Sequence, residues 1–132
     1  MTQNPYAPQS GTAAPLTPQE ERTWAVATHA VTGFATAVSA GTLGFIAALV
    51  VFVLFKDRGP FVRHHVANAL NIQLTALVWV VAIAIFGILT IGVGWFLFAV
   101  IPVVVVVLHV LGALNAWNGS WANPPLTARF VR

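Results

Sequence analysis

The sequence contains no cysteine and very few charged residues. Only 7% of its 132 residues are Asp, Glu, Lys or Arg, whereas a soluble domain carries about 25%. The absence of cysteine excludes disulfides, thiolate metal sites and cysteine nucleophiles. The formal net charge is only +3. Because no basic stripe with interleaved aromatic residues marks a nucleic-acid interface, we expect no nucleic-acid partner.

Long apolar runs make up most of the chain, of which 58% is hydrophobic. No Asp, Glu, Lys or Arg occurs from Thr23 to Phe55 or from Val66 to Ala128. A membrane-spanning helix needs about 20 mostly apolar residues, and both runs are longer than this. The composition therefore predicts an integral membrane protein whose first partner is the lipid bilayer.

The first apolar run is predicted to form a helical hairpin. Thr17, Pro18 and Glu20 have the spacing of a capping box with proline in the first helical position, which predicts a helix start. A single helix over 23–55 would be about 50 Å long, against a hydrocarbon core of about 30 Å. The segment SAGTLG at 39–44 therefore predicts a turn. The alternative is one long first helix, which gives three spans.

The second apolar run is predicted to form two longer helices. Gly59 and Pro60 fit the start of the third helix. The segment TIGVG at 90–94 fits the turn before the fourth helix, in which Pro102 is expected to introduce a kink. The predicted fold is all-α, an integral membrane four-helix bundle. Its parts are a helical hairpin over 18–56 and long helices over 60–89 and 95–117.

The order of these elements predicts three regions and a topology. The regions are a disordered N-terminal tail over 1–16, a transmembrane four-helix domain over 17–118 and a basic C-terminal tail over 119–132. The six basic and three acidic residues lie at the start of the first helix, around the start of the third, and in the C-terminal tail. Four spans place all of them on one side, which the positive-inside rule makes cytoplasmic. Both termini are then cytoplasmic, whereas three spans would move the N-terminus outside.

Polar side chains are concentrated in the segment FVRHHVANALNIQ at 61–73. Four polar residues of the third helix lie within about 60° of arc on one face: His64, Asn68, Asn71 and Thr75. His65 lies about 100° away, and Gln73 is nearly opposite. Polar groups in lipid usually face other helices or water. The candidate partners on other helices are His29, His109 and Asn115.

These side chains predict no catalytic centre, metal site or cofactor. Zinc needs three or four His, Cys or carboxylate ligands, but adjacent histidines on a helix diverge and the apolar runs contain no carboxylate. No candidate nucleophile has a general base at a sequence spacing that indicates a catalytic pair, so we do not expect an enzyme. Three roles stay open: cross-helix hydrogen bonding, a proton or ion pathway, and lipid-headgroup contact. The candidate intramembrane cluster comprises His29, His65, Asn68, Asn71 and Gln73, and the candidate headgroup contacts are Lys56, Arg58 and Arg63.

Three segments, LTPQEERTWAVATHA, FKDRGPFVRHHVANALNIQ and LNAWNGSWANPPL, carry a family resemblance over about residues 16–131. Together they resemble a prokaryotic family of small four-helix membrane proteins of unknown function, distantly related to the Tic-twenty component of chloroplast protein import. The matching positions are His29; Lys56, Asp57, Pro60, Phe61 and Val62; His65, Ala69, Leu70, Asn71 and Gln73; and Ala116, Gly119, Pro125 and Leu126. The family usually has charged or longer polar residues at Ala67 and Asn68, and Tyr at Trp121.

The resemblance implies a multi-pass protein of the bacterial cytoplasmic (inner) membrane. It also favours His65 over His64, because His65 is the histidine that matches the pattern. The chloroplast relative suggests membership of a membrane complex, by analogy of fold alone. We therefore predict a non-enzymatic accessory or scaffolding subunit that packs against a membrane-protein partner or a second copy of itself. The alternative is a small transporter or channel component, as in Tic-twenty-like protein translocation.

Overall fold

The computed structural model describes residues 13–132. This part of the chain contains four α-helices and one 3-10 helix, and no β-strand. The α-helices are α1 (Pro18–Ser39), α2 (Thr42–Phe55), α3 (Pro60–Leu89) and α4 (Val100–Trp117). The predicted all-α, four-helix fold is thus confirmed. Most of the tail predicted over 1–16 lies outside the described residues.

The start of α1 is the predicted capping box. The Glu20 N–H donates to Thr17 Oγ1 at 3.3 Å, and the Thr17 N–H donates to the Glu20 carboxylate at 2.8 Å. The hydrogen bond from the Thr17 N–H holds the pKa of the exposed Glu20 carboxyl below its ordinary value, and the bond from the Thr17 hydroxyl contributes a smaller part. The reciprocal pairing satisfies helix-end donors and sets the point at which α1 begins.

A tight turn joins α1 to α2, as the glycine-containing segment predicts. Ala40 and Gly41 have left-handed φ angles of 52° and 107°, and glycine adopts such angles without a steric penalty. The hydroxyl of Ser39 accepts a hydrogen bond from the Leu43 N–H at 2.9 Å, which satisfies a donor in the first turn of α2. The two helices therefore form a hairpin rather than one long helix.

A carboxylate from α1 caps the start of α3. Glu21 accepts hydrogen bonds from the N–H groups of Phe61 at 2.7 Å and Val62 at 3.0 Å. These N–H groups have no acceptor within the helix, and a negative charge suits the positive end of the helix dipole. Gly59 provides the space, because a Cβ at this position would overlap the Glu21 carboxylate. One carboxylate thus joins α1 to α3.

The last helix is divided into two parts rather than continuous from Trp95. A 3-10 helix covers Val93–Ala99, and α4 begins at Val100. Pro102 therefore lies in the first turn of α4, where its missing N–H removes no helical hydrogen bond. The ring of a proline clashes with the carbonyl four residues before it in a continuous α-helix, and the residues before Val100 take the tighter 3-10 form. The helix predicted over 95–117 is present within the helical segment Val93–Trp117, whose first part is 3-10 rather than α-helical. The kink at Pro102 stays a prediction.

The bundle is apolar outside and partly polar inside. Large apolar side chains are exposed along all four helices, whereas His29, His65 and His109 are buried. An apolar core lies between α3 and α4, around Ile72 and Val105. Within the described residues, α3 and the combined segment Val93–Trp117 are each long and apolar enough to cross a membrane, and α2 is apolar but shorter. This arrangement is the one expected where lipid replaces water as the solvent.

Candidate functional site

Three histidines from three different helices meet at the centre of the bundle. His29 lies on α1, His65 on α3 and His109 on α4, and each is only 1% exposed. His29 Nε2 lies 3.3 Å from His65 Nδ1, and His29 Nδ1 lies 3.2 Å from His109 Nδ1. His29 therefore links the other two histidines, and with them it ties three helices together.

Polar groups extend this row of imidazoles at both ends. His65 Nε2 lies 3.1 Å from the carbonyl oxygen of Ser120, shortly after the end of α4. At the other end, Gln73 Nε2 lies 3.1 Å from His109 Nε2 and 2.8 Å from Thr36 Oγ1. We call the five side chains that form this row the histidine chain. They are Thr36, Gln73, His109, His29 and His65.

The end groups determine which nitrogen of each histidine carries a proton. A carbonyl oxygen only accepts, so His65 Nε2 donates to Ser120, and the other nitrogen of a neutral imidazole accepts. His65 Nδ1 then accepts from His29 Nε2, and His29 Nδ1 accepts from His109 Nδ1. His109 Nε2 accepts from the Gln73 amide. Every imidazole nitrogen has one partner and one role when all three imidazoles are neutral.

Glycines provide the space that the histidine chain occupies. A Cβ at Gly33 on α1 would lie 3.0 Å from His109 Cβ, and a Cβ at Gly112 on α4 would overlap the ring of His29. Each of these two helices thus has a glycine where the other places its histidine. On α2, a Cβ at Gly44 would overlap Thr36 Oγ1. The glycines therefore allow the close helix packing that small residues provide in membranes.

We expect Gly112→Ala to lower the free energy of unfolding by about 1–2 kcal/mol. The added methyl group must displace the His29 ring, which is hydrogen-bonded on both sides. The measurement is reversible denaturation in detergent micelles. In a His29→Ala background the same substitution should cost nothing, because the overlapping ring is gone. An equal cost in both backgrounds would contradict the assigned contact.

The polar stripe of α3 binds the C-terminal segment, residues 120–132, rather than another helix. Asn71 Oδ1 accepts hydrogen bonds from the N–H groups of Phe130 at 2.9 Å and Val131 at 2.8 Å. Asn71 Nδ2 donates to the Val131 carbonyl at 2.8 Å. One buried amide side chain therefore pairs with the backbone of two residues, in the way that a neighbouring peptide group would.

Two more side chains of the stripe contact the same segment. Thr75 Oγ1 accepts from the Ala128 N–H at 3.0 Å, and Asn68 Nδ2 lies 3.5 Å from the Ala122 carbonyl. Asn68 Nδ2 also lies 3.0 Å from His64 Nε2. The residues predicted as one cluster thus form two groups. His29, His65 and Gln73 belong to the histidine chain, whereas Asn68 and Asn71 hold the C-terminal segment.

The basic residues predicted to contact lipid headgroups all have protein partners. Lys56 Nζ lies 4.0 Å from the Asp57 carboxylate, and Arg58 Nε donates to a backbone carbonyl before α1 at 2.7 Å. Arg63 donates to the main-chain oxygen of Arg132 at 3.2 Å, which joins the start of α3 to the C-terminal segment. Headgroup contact by these residues stays a prediction.

The geometry of the histidine chain is that of a hydrogen-bonded row rather than of a metal centre. His29 directs its two nitrogens at different neighbours, so the three imidazoles do not converge on one point as zinc ligands do. Within residues 13–132, no group of three or more His, Cys, Asp or Glu residues has an arrangement that could hold a metal ion.

Fold and site together define a class of protein. It is a small helical membrane protein in which buried histidines of three helices are hydrogen-bonded to one another. The chain belongs to the magnetosome magnetite crystal formation protein family (MamF/MmsF), whose sequence model matches residues 20–131. Searches of curated proteins and of solved structures each gave no significant match. The family match supports the expectation of a small bacterial membrane protein, and it gives no support for a relation to the Tic-twenty import component.

Proposed function

We propose that the protein is a non-enzymatic accessory subunit of a membrane assembly and acts by packing against a partner inside the bilayer. The observation that carries the proposal is the hydrogen bonding of the histidine chain and of Asn71 within the protein. Asn71 and the side chains of the histidine chain bond to one another or to backbone, so the helices and the C-terminal segment form one unit. Such bonds hold helices together in lipid. These hydrogen bonds therefore hold the helices in fixed relative positions, and the helix positions determine the shape of the apolar outer surface.

A groove between α1 and α4 is the part of that surface best suited to a partner helix. It has a volume of about 500 Å³, and four of the residues that line it are small, namely Ala30, Gly33, Ala37 and Ala113. Small residues let a second helix backbone approach closely, which strengthens packing where the hydrophobic effect does not drive association. We propose a transmembrane helix of a partner subunit as the occupant.

The description of the family names magnetite crystal formation in magnetosomes. For this chain we propose the general part of that role, namely service as an embedded subunit of a membrane-bound assembly. The proposed topology has four spans with both ends in the cytoplasm. This topology keeps Lys56, Arg58 and the arginines of the C-terminal segment on the side that the positive-inside rule requires.

Ala30→Leu tests the groove, because the larger side chain would fill space that a partner helix needs. From the native membrane in mild detergent, we expect the unaltered protein to recover one stoichiometric membrane partner by quantitative mass spectrometry. Ala30→Leu should reduce that recovery about tenfold, equivalent to about 1.4 kcal/mol. Ala82→Leu is the matched control, since Ala82 is exposed on α3 and lies outside the groove. Recovery of the protein alone as a monomer would contradict the proposal, and equal losses would contradict the groove.

A transporter or channel component is the second candidate, and the geometry supports it less well. One end of the histidine chain meets the Ser120 carbonyl, and at the other end the Thr36 hydroxyl donates to the Thr32 carbonyl at 2.8 Å. Neither a carbonyl nor the Gln73 amide takes up a proton and passes it on near neutral pH. The histidine chain is therefore a structural clamp rather than a continuous proton route across the bundle.

A further inference from the structure

We propose that a cavity between α3 and the C-terminal segment binds the phosphate group of an anionic ligand. The cavity has a volume of about 210 Å³. Arg63 and His64 line it from the first turns of α3, and Arg129 and Arg132 line it from the C-terminal segment. Asn68, which is buried, also contributes to the lining. This inference does not depend on the proposed accessory function.

The backbone of the C-terminal segment, and not any acidic side chain, brings the arginines together. Asn71 binds the backbone of Phe130 and Val131, which lie between Arg129 and Arg132 in sequence. Arg63 adds a bond from its guanidinium to the main-chain oxygen of Arg132. The Arg63 guanidinium and the backbone next to Arg129 and Arg132 are therefore held by hydrogen bonds that involve no acidic side chain.

No acidic side chain neutralises this cavity. The whole chain has three acidic residues, and each has a different partner. Glu20 belongs to the capping box of α1, Glu21 binds the first N–H groups of α3, and Asp57 lies beside Lys56. None of the three lines the cavity. Even when the main-chain carboxylate of Arg132 beside Arg63 is counted, the three arginines leave a net positive charge around the cavity, which attracts an anion.

The donors around the cavity match phosphate oxygens. A guanidinium presents its N–H groups in a planar fork that suits the oxygens of phosphate, and such charge-assisted bonds are about twice as strong as neutral ones. Since one water molecule takes about 30 Å³ of liquid, the cavity has room for a phosphate group and several waters. Two sources supply this chemistry at the end of the bundle that carries the charges: the headgroup of an anionic phospholipid, and free phosphate.

Calorimetric titration of the full chain in neutral detergent micelles tests the site and separates the two sources. The probes are inorganic phosphate and dihexanoyl phosphatidylglycerol. Potassium chloride at equal ionic strength and dihexanoyl phosphatidylcholine are the references. We expect saturable binding of phosphatidylglycerol, of phosphate or of both, and no saturable binding of either reference. Binding of phosphatidylglycerol alone identifies a lipid headgroup site, and binding of phosphate alone identifies a free phosphate site.

Two arginine substitutions show whether the binding belongs to the cavity. Arg129→Gln should weaken the affinity about tenfold or more, the effect of losing one bond to a charged group. Arg22→Gln removes the same charge from an exposed residue of α1 outside the cavity, and it should leave the affinity unchanged. Absence of saturable binding to both phosphate probes would overturn the proposal. Equal weakening by the two substitutions would also overturn it.

Discussion

Replacement of His29 by leucine should lower the free energy of unfolding by about 2–4 kcal/mol. The substitution removes the central link of the histidine chain and leaves His65 Nδ1 without a donor and the His109 Nδ1–H without an acceptor. An orphaned buried polar group costs about 1–3 kcal/mol, and hydrogen bonds between membrane helices average about 0.6 kcal/mol. Leucine fills a similar volume, so the effect reports the lost hydrogen bonds. Reversible denaturation in micelles measures it.

His64→Leu is the matched control for this experiment. His64 carries the same side chain one residue before His65, but it is only partly buried and lies outside the histidine chain. Its replacement should cost less than about 1 kcal/mol, the size of one ordinary hydrogen bond. Equal losses of unfolding free energy for His29→Leu and His64→Leu would show that the hydrogen bonds of the histidine chain add no more stability than an ordinary hydrogen bond.

Asn71→Leu should release the C-terminal segment while the four α-helices stay folded. It removes three hydrogen bonds, two from the backbone N–H groups of Phe130 and Val131 and one to the Val131 carbonyl. At about 1 kcal/mol for each bond, amide hydrogen exchange of Phe130 and Val131 should become about a hundredfold faster. Exchange in the middle of α3 should change little, because local opening is independent of global unfolding.

Asn71→Asp provides the graded comparison. A carboxylate keeps the acceptor for the N–H groups of Phe130 and Val131 but loses the donor to the Val131 carbonyl. Exchange at these two amides should therefore be intermediate between the unaltered protein and Asn71→Leu. Unchanged exchange in Asn71→Leu would contradict the docking of the C-terminal segment on α3.

The helix boundaries could be predicted because local residues determine them. Thr17 and Glu20 pair across one turn, Gly41 takes a left-handed φ of 107°, and Pro60 occupies the first position of α3. Each of these signals acts within a few residues, so the sequence pattern contains it. The 3-10 helix over Val93–Ala99 was not predicted, because the apolar pattern does not distinguish a 3-10 helix from an α-helix.

The partners of the polar residues could only be predicted in part. Helical geometry separated His65 from the stripe that contains Asn68 and Asn71, and the two faces do have different partners. The candidate partners of the stripe in the other helices lie on α1 and α4, namely His29, His109 and Asn115. The C-terminal segment docks through backbone groups. Backbone groups are the same in every residue, so they leave no periodic signal in the sequence.

The reciprocal fit of the glycines also lay beyond the sequence. Gly33 and Gly112 are small residues that favour close helix packing, but the histidine that each accommodates depends on the relative position of α1 and α4 along the bundle axis. That position is set by the turns and by the packing of the whole bundle, so the glycine–histidine pairs could not be predicted from the sequence.

The neutral histidine chain bears on how the protein responds to membrane voltage. A transmembrane potential does work on charge, about 2.3 kcal/mol for each elementary charge moved through 100 mV. The long apolar runs contain no Asp, Glu, Lys or Arg, and the three buried imidazoles are paired as neutral groups. The apolar runs thus contribute dipoles but no charged side chain that could act as a gating charge. Its shape, and the surface that it presents to a partner, should be the same in an energised and a de-energised membrane.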